Sequence, residues 1–135
     1  MIVAETVIKV PFHDVDSMRV VWHGFYVKYF EIARCELLDK IGYNYVQMND
    51  SGYAWPVIDV RVRYAQPVRF QQEIRVIAKL KEWENRLKID YLIEDVESGK
   101  RLTKGYTVQV ACDLKTNEML FESPDILFEK LGIER

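Results

Sequence analysis

Several features that would point to nucleotide cofactors, nucleic acids or membranes are missing from these 135 residues. The six glycines are scattered, so there is no phosphate-cradling loop and no dinucleotide fingerprint. No apolar run approaches the roughly 18 residues of a membrane span, and no charged-then-apolar leader is present, so we expect neither a membrane segment nor a signal peptide. The net charge of −2 lacks the basic excess typical of a nucleic-acid-binding protein.

Cysteine is also scarce. The two cysteines, Cys35 and Cys112, fall in a helical and a strand pattern, respectively. We interpret them as small core residues of a reduced, cytoplasmic protein rather than as a disulfide. Together with His13 and His23 they lack the spacing of a zinc site.

A calcium loop is excluded as well. Asp14 and Asp16 have the alternate spacing of calcium ligands, but Met18 and Arg19 stand where the third ligand and the turn glycine belong. We therefore predict no metal site and no cofactor.

What the sequence does contain is a long helical pattern. At 135 residues the chain is predicted to be one domain, residues 1–135, large enough for a single core. Entering at His23 and Gly24, a helix is predicted to run to a stop signal at Gly42. Its apolar residues recur at helical spacing, at Tyr26, Tyr29, Phe30, Ala33, Leu37 and Ile41. Because the opposite side is also poor in polar residues, another element should wrap it.

The remaining chain reads mostly as strands. Strand patterns cover residues 2–12, 54–64, 73–83, 87–94 and 102–114, with 118–121 as a possible extension of the sheet. Residues 43–52 are predicted to be a connecting loop, and 123–131 a short helix capped by Ser123. Within 57–64 one face is apolar and the other charged, which predicts a half-buried strand. The order predicts an α+β fold in which an antiparallel sheet curls around the long helix.

The acidic turn just before the helix is the remaining candidate site. The first turn of a helix presents unpaired N–H groups and a partial positive charge, which stabilise a developing oxyanion. A carboxylate beside it is placed to attack a carbonyl or to activate water. The alternative is that Asp14 and Asp16 only cap a turn and lie in solvent, since Asp is common in turns for local reasons.

A resemblance favours the chemical reading. DVDSMRVVWHGFY over residues 14–26, followed by YFEIAR over residues 29–34, resembles the signature of hot-dog-fold acyl-CoA thioesterases. The branch it is most similar to is that of 4-hydroxybenzoyl-CoA thioesterase and the YbgC-like proteins. The resemblance implies that Asp16 is the catalytic carboxylate and that the backbone N–H of His23 polarises the thioester carbonyl. It also implies that the side chains of His23 and Tyr26 border the acyl pocket and that Arg86 contacts CoA phosphate.

Alternatives remain for several of these residues. The alternative for His23 is that its ring only packs at the helix entrance, and Tyr26 is equally suited to the core. Glu31 and Arg34 also recur in the family pattern, but their spacing predicts a structural ion pair. Arg19 stands where the family commonly has glycine, so the loop is expected to take another path. Phe25 replaces a small or polar residue and is expected to narrow the pocket.

The resemblance predicts an acyl-CoA thioesterase whose substrate is an acyl-CoA or an acyl carrier protein thioester. A non-catalytic acyl-thioester binding domain on the same fold is the alternative, and a hot-dog dehydratase is a weaker third. Because a sheet wrapped on one helix leaves open strand edges, we expect a homodimer or a tetramer built from dimers.

Overall fold

The computed structural model, which describes residues 2–135, is organised around one long helix, α1 (Tyr26–Lys40). A short 3₁₀ turn at His23–Phe25 leads into it, and Gly42 follows it with φ of 71°, the left-handed conformation that glycine adopts at little cost. The predicted apolar face is buried almost completely, with Tyr29, Phe30, Ala33 and Leu37 at most 1% exposed. The helix prediction is confirmed.

An antiparallel five-stranded sheet packs against this helix. Its strands are β1 (Val3–Lys9), β3 (Val57–Tyr64), β4 (Glu73–Glu82), β5 (Leu87–Asp95) and β6 (Arg101–Gln109). They pair in the order β1-β4-β5-β6-β3. At the centre the Phe30 ring stacks on the Tyr91 ring, with 4.4 Å between centroids. Gly105 makes this contact possible, because a Cβ there would lie 2.3 Å from the Arg61 carbonyl oxygen and 2.6 Å from the Phe30 ring. The predicted α+β architecture is confirmed.

One strand is buried much less than its alternation predicts. β3 forms one edge of the sheet, and in a single chain seven of its eight residues are exposed, Val62 being the exception. Alternation predicts which side chains share a face, but it does not predict whether another element covers that face. The expectation of a half-buried strand is therefore wrong for the single chain.

The connection predicted between residues 43 and 52 contains a second helix, α2 (Tyr45–Asp50). Asn44 and Gln47 form a reciprocal capping box, each side chain bonding the other's backbone N–H. That Asn-x-x-Gln pattern was present in the sequence, and the loop-forming residues after it concealed it. The connection is followed by β2 (Tyr53–Ala54), which pairs with β7 (Cys112–Asp113) in a small two-stranded sheet.

The end of the chain departs from the predicted pattern in two details. The last helix, α3, spans Asp125–Leu131, but its N-cap is Pro124 and no side chain caps it. Ser123 is buried instead, and its backbone N–H bonds the Glu84 carbonyl, so the predicted capping role is wrong. Residues 118–121 add only a single bridge, between Met119 and Cys112.

The predicted Glu31–Arg34 ion pair is also wrong for residues 2–135. Glu31 is exposed, whereas Arg34 is 5% exposed and its Nε donates a hydrogen bond to the Tyr45 hydroxyl at 2.7 Å. Arg34 therefore joins α1 to the first residue of α2, because the helix face that carries it points into the protein.

Both cysteines are free thiols. Within the part of the chain that the structure describes, no helix is both long and apolar enough to cross a membrane.

Candidate active site

The acidic turn is fastened to the start of α1 through Asp14. This residue ends a 3₁₀ turn at Phe12–Asp14 and is 1% exposed. Its carboxylate accepts hydrogen bonds from the Lys28 ammonium at 2.5 Å and from the Tyr29 hydroxyl at 2.7 Å. Its carbonyl oxygen accepts the Trp22 N–H at 3.0 Å. The alternative that Asp14 lies in solvent is therefore wrong, because two side chains of α1 draw it inward.

The charge of Asp14 is stabilised by these partners. Burial alone raises the pKa of a carboxyl group, but the hydrogen bonds from Lys28 and Tyr29 and the positive charge of Lys28 outweigh it. The pKa of Asp14 is consequently held below its ordinary value. The same contact acts in reverse on Tyr29, whose pKa is raised by burial and by its hydrogen bond to the carboxylate.

Asp16 has a different environment, since its side chain is exposed. Its carboxylate accepts the Met18 N–H at 2.9 Å, and its carbonyl oxygen accepts the Arg19 N–H at 2.9 Å. Arg19 has φ of 61°, in the left-handed region that glycine favours. The loop thus has at Arg19 a backbone conformation that a glycine adopts without strain.

Asp16, His23 and Tyr26 line one cleft of about 310 Å³. The other lining residues come from the acidic turn and from the end of β3 with the loop after it: Val20, Val21, Tyr64, Ala65, Gln66 and Pro67. The turn is held in place by β-bridges from Val15 to Val21 and from Val20 to Arg69. Asp16 and the residues that begin the helix therefore line the same space.

His23 occupies the helix entrance. The hydrogen bonds among residues 2–135 leave its backbone N–H without a protein acceptor, while its carbonyl oxygen accepts the Tyr64 hydroxyl at 3.0 Å. Its ring packs against the Trp22 ring, with 4.8 Å between centroids. Both the packing of the ring and the open N–H are thus present, and the second offers a hydrogen bond to a ligand.

Tyr26 is at once a core residue and a wall of the cleft. It is 3% exposed, its ring meets the Tyr64 ring edge-on at 4.8 Å, and burial raises the pKa of its phenol. It belongs mostly to the core, as the apolar helix face predicts, and it contributes one edge to the cleft.

Arg86 lies elsewhere. It follows the turn between β4 and β5 and forms an ion pair with Glu82 at 2.8 Å, and it does not line the cleft. Phe25 is also outside the cleft, since its ring packs against Trp22 and beneath the Lys28 ammonium. The expectation that Phe25 narrows the pocket does not hold for the single chain.

Sequence reasoning missed two residues of this region. Tyr64 is the last residue of β3 and lies on the same face of that strand as its apolar residues. That position was the one indication in the sequence that its side chain turns toward the helix entrance. Nothing in the sequence indicated a role for Lys28, because its contact with Asp14 joins residues 14 positions apart that only the folded chain brings together.

Comparisons with known proteins identify the family of this chain. Residues 10–131 match the thioesterase-like superfamily. A Synechocystis protein named "Putative esterase sll0410" is 29% identical over 94% of this chain and 77% of that protein. "Putative acyl-CoA thioesterase YneP" of Bacillus subtilis is 30% identical over 52% of this chain and 51% of that protein.

The fold has a solved counterpart in the DHNA-CoA thioesterase of Staphylococcus aureus. That structure is 27% identical, covers 98% of this chain and 87% of its own, and superimposes with a TM-score of 0.85. The long helix, the antiparallel sheet and these relatives lead to one conclusion. The chain belongs to the thioesterase-like superfamily, has the hot-dog fold and is a thioester hydrolase.

Proposed function

We propose that this protein hydrolyses acyl-CoA thioesters to the free acid and CoA, with Asp16 as nucleophile or general base. The observation that carries the proposal is that Asp16, whose side chain is exposed, and His23, whose backbone N–H has no acceptor within residues 2–135, line the same cleft. Thioester hydrolysis needs both groups, because negative charge develops on the carbonyl oxygen as an oxygen nucleophile adds to the carbon.

Two routes use these groups. In the first, Asp16 takes a proton from water, the water oxygen adds to the carbonyl carbon, the C–S bond breaks and the departing sulfur receives the proton. In the second, an Asp16 oxygen adds to the carbon and expels CoA as the thiolate, and water then hydrolyses the mixed anhydride. In both, the His23 N–H donates to the carbonyl oxygen as its charge increases, aided by the helix dipole.

Single-turnover hydrolysis in ¹⁸O-labelled water tests the second route. Label in the Asp16 carboxylate supports attack by Asp16, because only water that attacks the Asp16 side of the anhydride places its oxygen there. The proposal itself is tested first by a panel of short aliphatic, aromatic and long-chain acyl-CoA esters, with acyl carrier protein esters beside them. Release of free thiol from an acyl-CoA ester is the expected result, and binding without turnover across the panel would favour the non-catalytic alternative.

We also propose a homodimer, or a tetramer built from dimers, in a reducing cytoplasm. β3 supports the pairing, because it leaves the unpaired backbone groups of one sheet edge open. It also leaves Val57, Ile58 and Val60 between 39% and 51% exposed. Edge-to-edge pairing of two β3 strands satisfies the backbone and covers these side chains. The free thiols of Cys35 and Cys112 fit a reducing compartment.

A further inference from the structure

A cluster of positive charge lies beside the active-site cleft, on β3 and β6. Arg63 and Lys104 are direct partners in the antiparallel pairing of these strands, and both are exposed. Like charges directly opposite each other on neighbouring strands destabilise a sheet. Arg101, at the start of β6, adds a third cation, and all three line one depression of about 260 Å³.

These cations are not neutralised by the chain itself. Within residues 2–135 none of Arg63, Arg101 and Lys104 forms an ion pair. The nearest acid in register, Glu94 opposite Arg101, is held by Arg75 at 3.0 Å. Because the protein as a whole carries a net charge of −2, this cluster is a local feature rather than part of a basic surface.

The depression adjoins the cleft that contains Asp16. Ala65 lines both, and Arg63 directly precedes Tyr64, whose hydroxyl bonds the His23 carbonyl. A CoA thioester has the same layout, with the reacting carbonyl at one end of the pantetheine arm and the phosphates at the other. A phosphate site for such a substrate has to lie next to the reaction cleft and separate from it.

We propose that Arg63, Arg101 and Lys104 bind the phosphate groups of the CoA nucleotide, an assignment that rests on the proposed acyl-CoA hydrolysis. Guanidinium groups match phosphate oxygens with two parallel hydrogen bonds, and the ammonium of Lys104 supplies a further charge. The concave shape favours a compact anion over the broad acidic surface of a carrier protein. Arg86, by contrast, is occupied by Glu82 and lines neither cavity.

The decisive variant is Arg101→Gln/Lys104→Gln, because both residues lie on β6 and not on the edge strand proposed to pair subunits. Calorimetric titration with adenosine 3′,5′-bisphosphate measures the site without turnover. We expect the variant to weaken this binding at least about tenfold, as the loss of charge-assisted hydrogen bonds implies. The KM for the best acyl-CoA should rise by a similar factor at unchanged kcat. Hydrolysis of the same acyl group on pantetheine, which lacks the nucleotide, should not change.

The matched control is Lys9→Gln/Lys79→Gln, which removes two exposed lysines at the opposite side of the sheet, Lys9 on the edge strand β1 and Lys79 on its neighbour β4. It should leave the bisphosphate affinity and the KM unchanged.

The proposal is overturned by a normal bisphosphate affinity in the β6 variant, by an equal rise of KM with the pantetheine ester, or by a loss of activity confined to acyl carrier protein esters. It is also overturned if Arg86→Gln loses the bisphosphate affinity and the β6 variant keeps it. If bisphosphate binds and the β6 variant loses it while no acyl-CoA is hydrolysed, the phosphate site stands and the proposed activity fails.

Discussion

The hydroxyl of Tyr29 donates a hydrogen bond to the buried carboxylate of Asp14, with 2.7 Å between the two oxygens. Tyr29 lies in the first turn of α1 and Asp14 in the acidic turn, so this bond joins the two elements whose relative position defines the cleft. Lys28 makes a parallel bond to the other carboxylate oxygen. The cluster holds Asp14 in the interior, whereas Asp16, two residues later, is exposed and lines the cleft.

Removing the Tyr29 hydroxyl should therefore cost stability. We expect Tyr29→Phe to lower the free energy of unfolding by about 1.5–3 kcal/mol, the range for a hydrogen bond to a charged group. Urea unfolding at neutral pH measures it. Tyr53→Phe is the matched control, since the Tyr53 hydroxyl has no hydrogen-bond partner within residues 2–135, and it should stay within about 0.5 kcal/mol of the wild type. Equal losses in the two variants would mean that the bond to Asp14 contributes nothing measurable.

The same cluster predicts how stability depends on pH. Because the pKa of Asp14 is lower in the folded protein, the folded state binds fewer protons than the unfolded state as pH falls. The contribution of the charged carboxylate is therefore fully present above the unfolded pKa of about 3.9 and is lost as pH falls through the folded pKa. The stability difference between wild type and Asp14→Asn should be level from neutral pH to about pH 4 and shrink below it. If the stability difference grew on acidification, the pKa of Asp14 would be raised in the folded protein and not lowered. The control is Asp50→Asn, which changes an exposed aspartate and should match the stability of the wild type closely at any pH.

Much of this fold was predictable, because periodicity reflects burial. The helix from Tyr26 and the strands at 57–64, 73–82 and 87–95 were found to within three residues, because the apolar residues of each recur at the period of its element. The helix α2 was missed because its signal is a two-residue capping box inside a loop-like composition. Local pattern is weak evidence for a six-residue element.

The site was predictable only in part. The motif placed Asp16, His23 and Tyr26 together, and one cleft does contain all three. The burial of Asp14 and the exposure of β3 depend on which distant elements meet, and neither follows from the order of residues in either segment. The left-handed backbone of Arg19 shows the same limit, because it is a property of the folded loop and an arginine in the sequence gives no indication of it.

Asp16→Asn tests the proposed chemistry with little effect on the fold. The amide oxygen still accepts the Met18 N–H, so the turn should persist, but an amide neither attacks the thioester nor takes a proton from water. We expect kcat to fall at least about 10²-fold with the best acyl-CoA, with the circular dichroism spectrum and urea midpoint retained. Asp50→Asn, another exposed aspartate, should keep normal turnover. Near-normal hydrolysis by Asp16→Asn would remove Asp16 from the mechanism.

The open edge at β3 makes the assembly testable as well. If two β3 strands pair, a lysine at Val60 places a charge in the contact, which is the way natural edge strands prevent association. Light scattering at micromolar concentration should give a dimer or tetramer for the wild type and a lower mass for Val60→Lys, with the circular dichroism spectrum checking that the strand content persists. Val46→Lys is the control, because Val46 is another exposed valine, 69% accessible, that belongs to α2 and not to β3. A monomeric wild type would contradict the pairing, and an equal mass loss in both variants would indicate that association occurs through other surfaces.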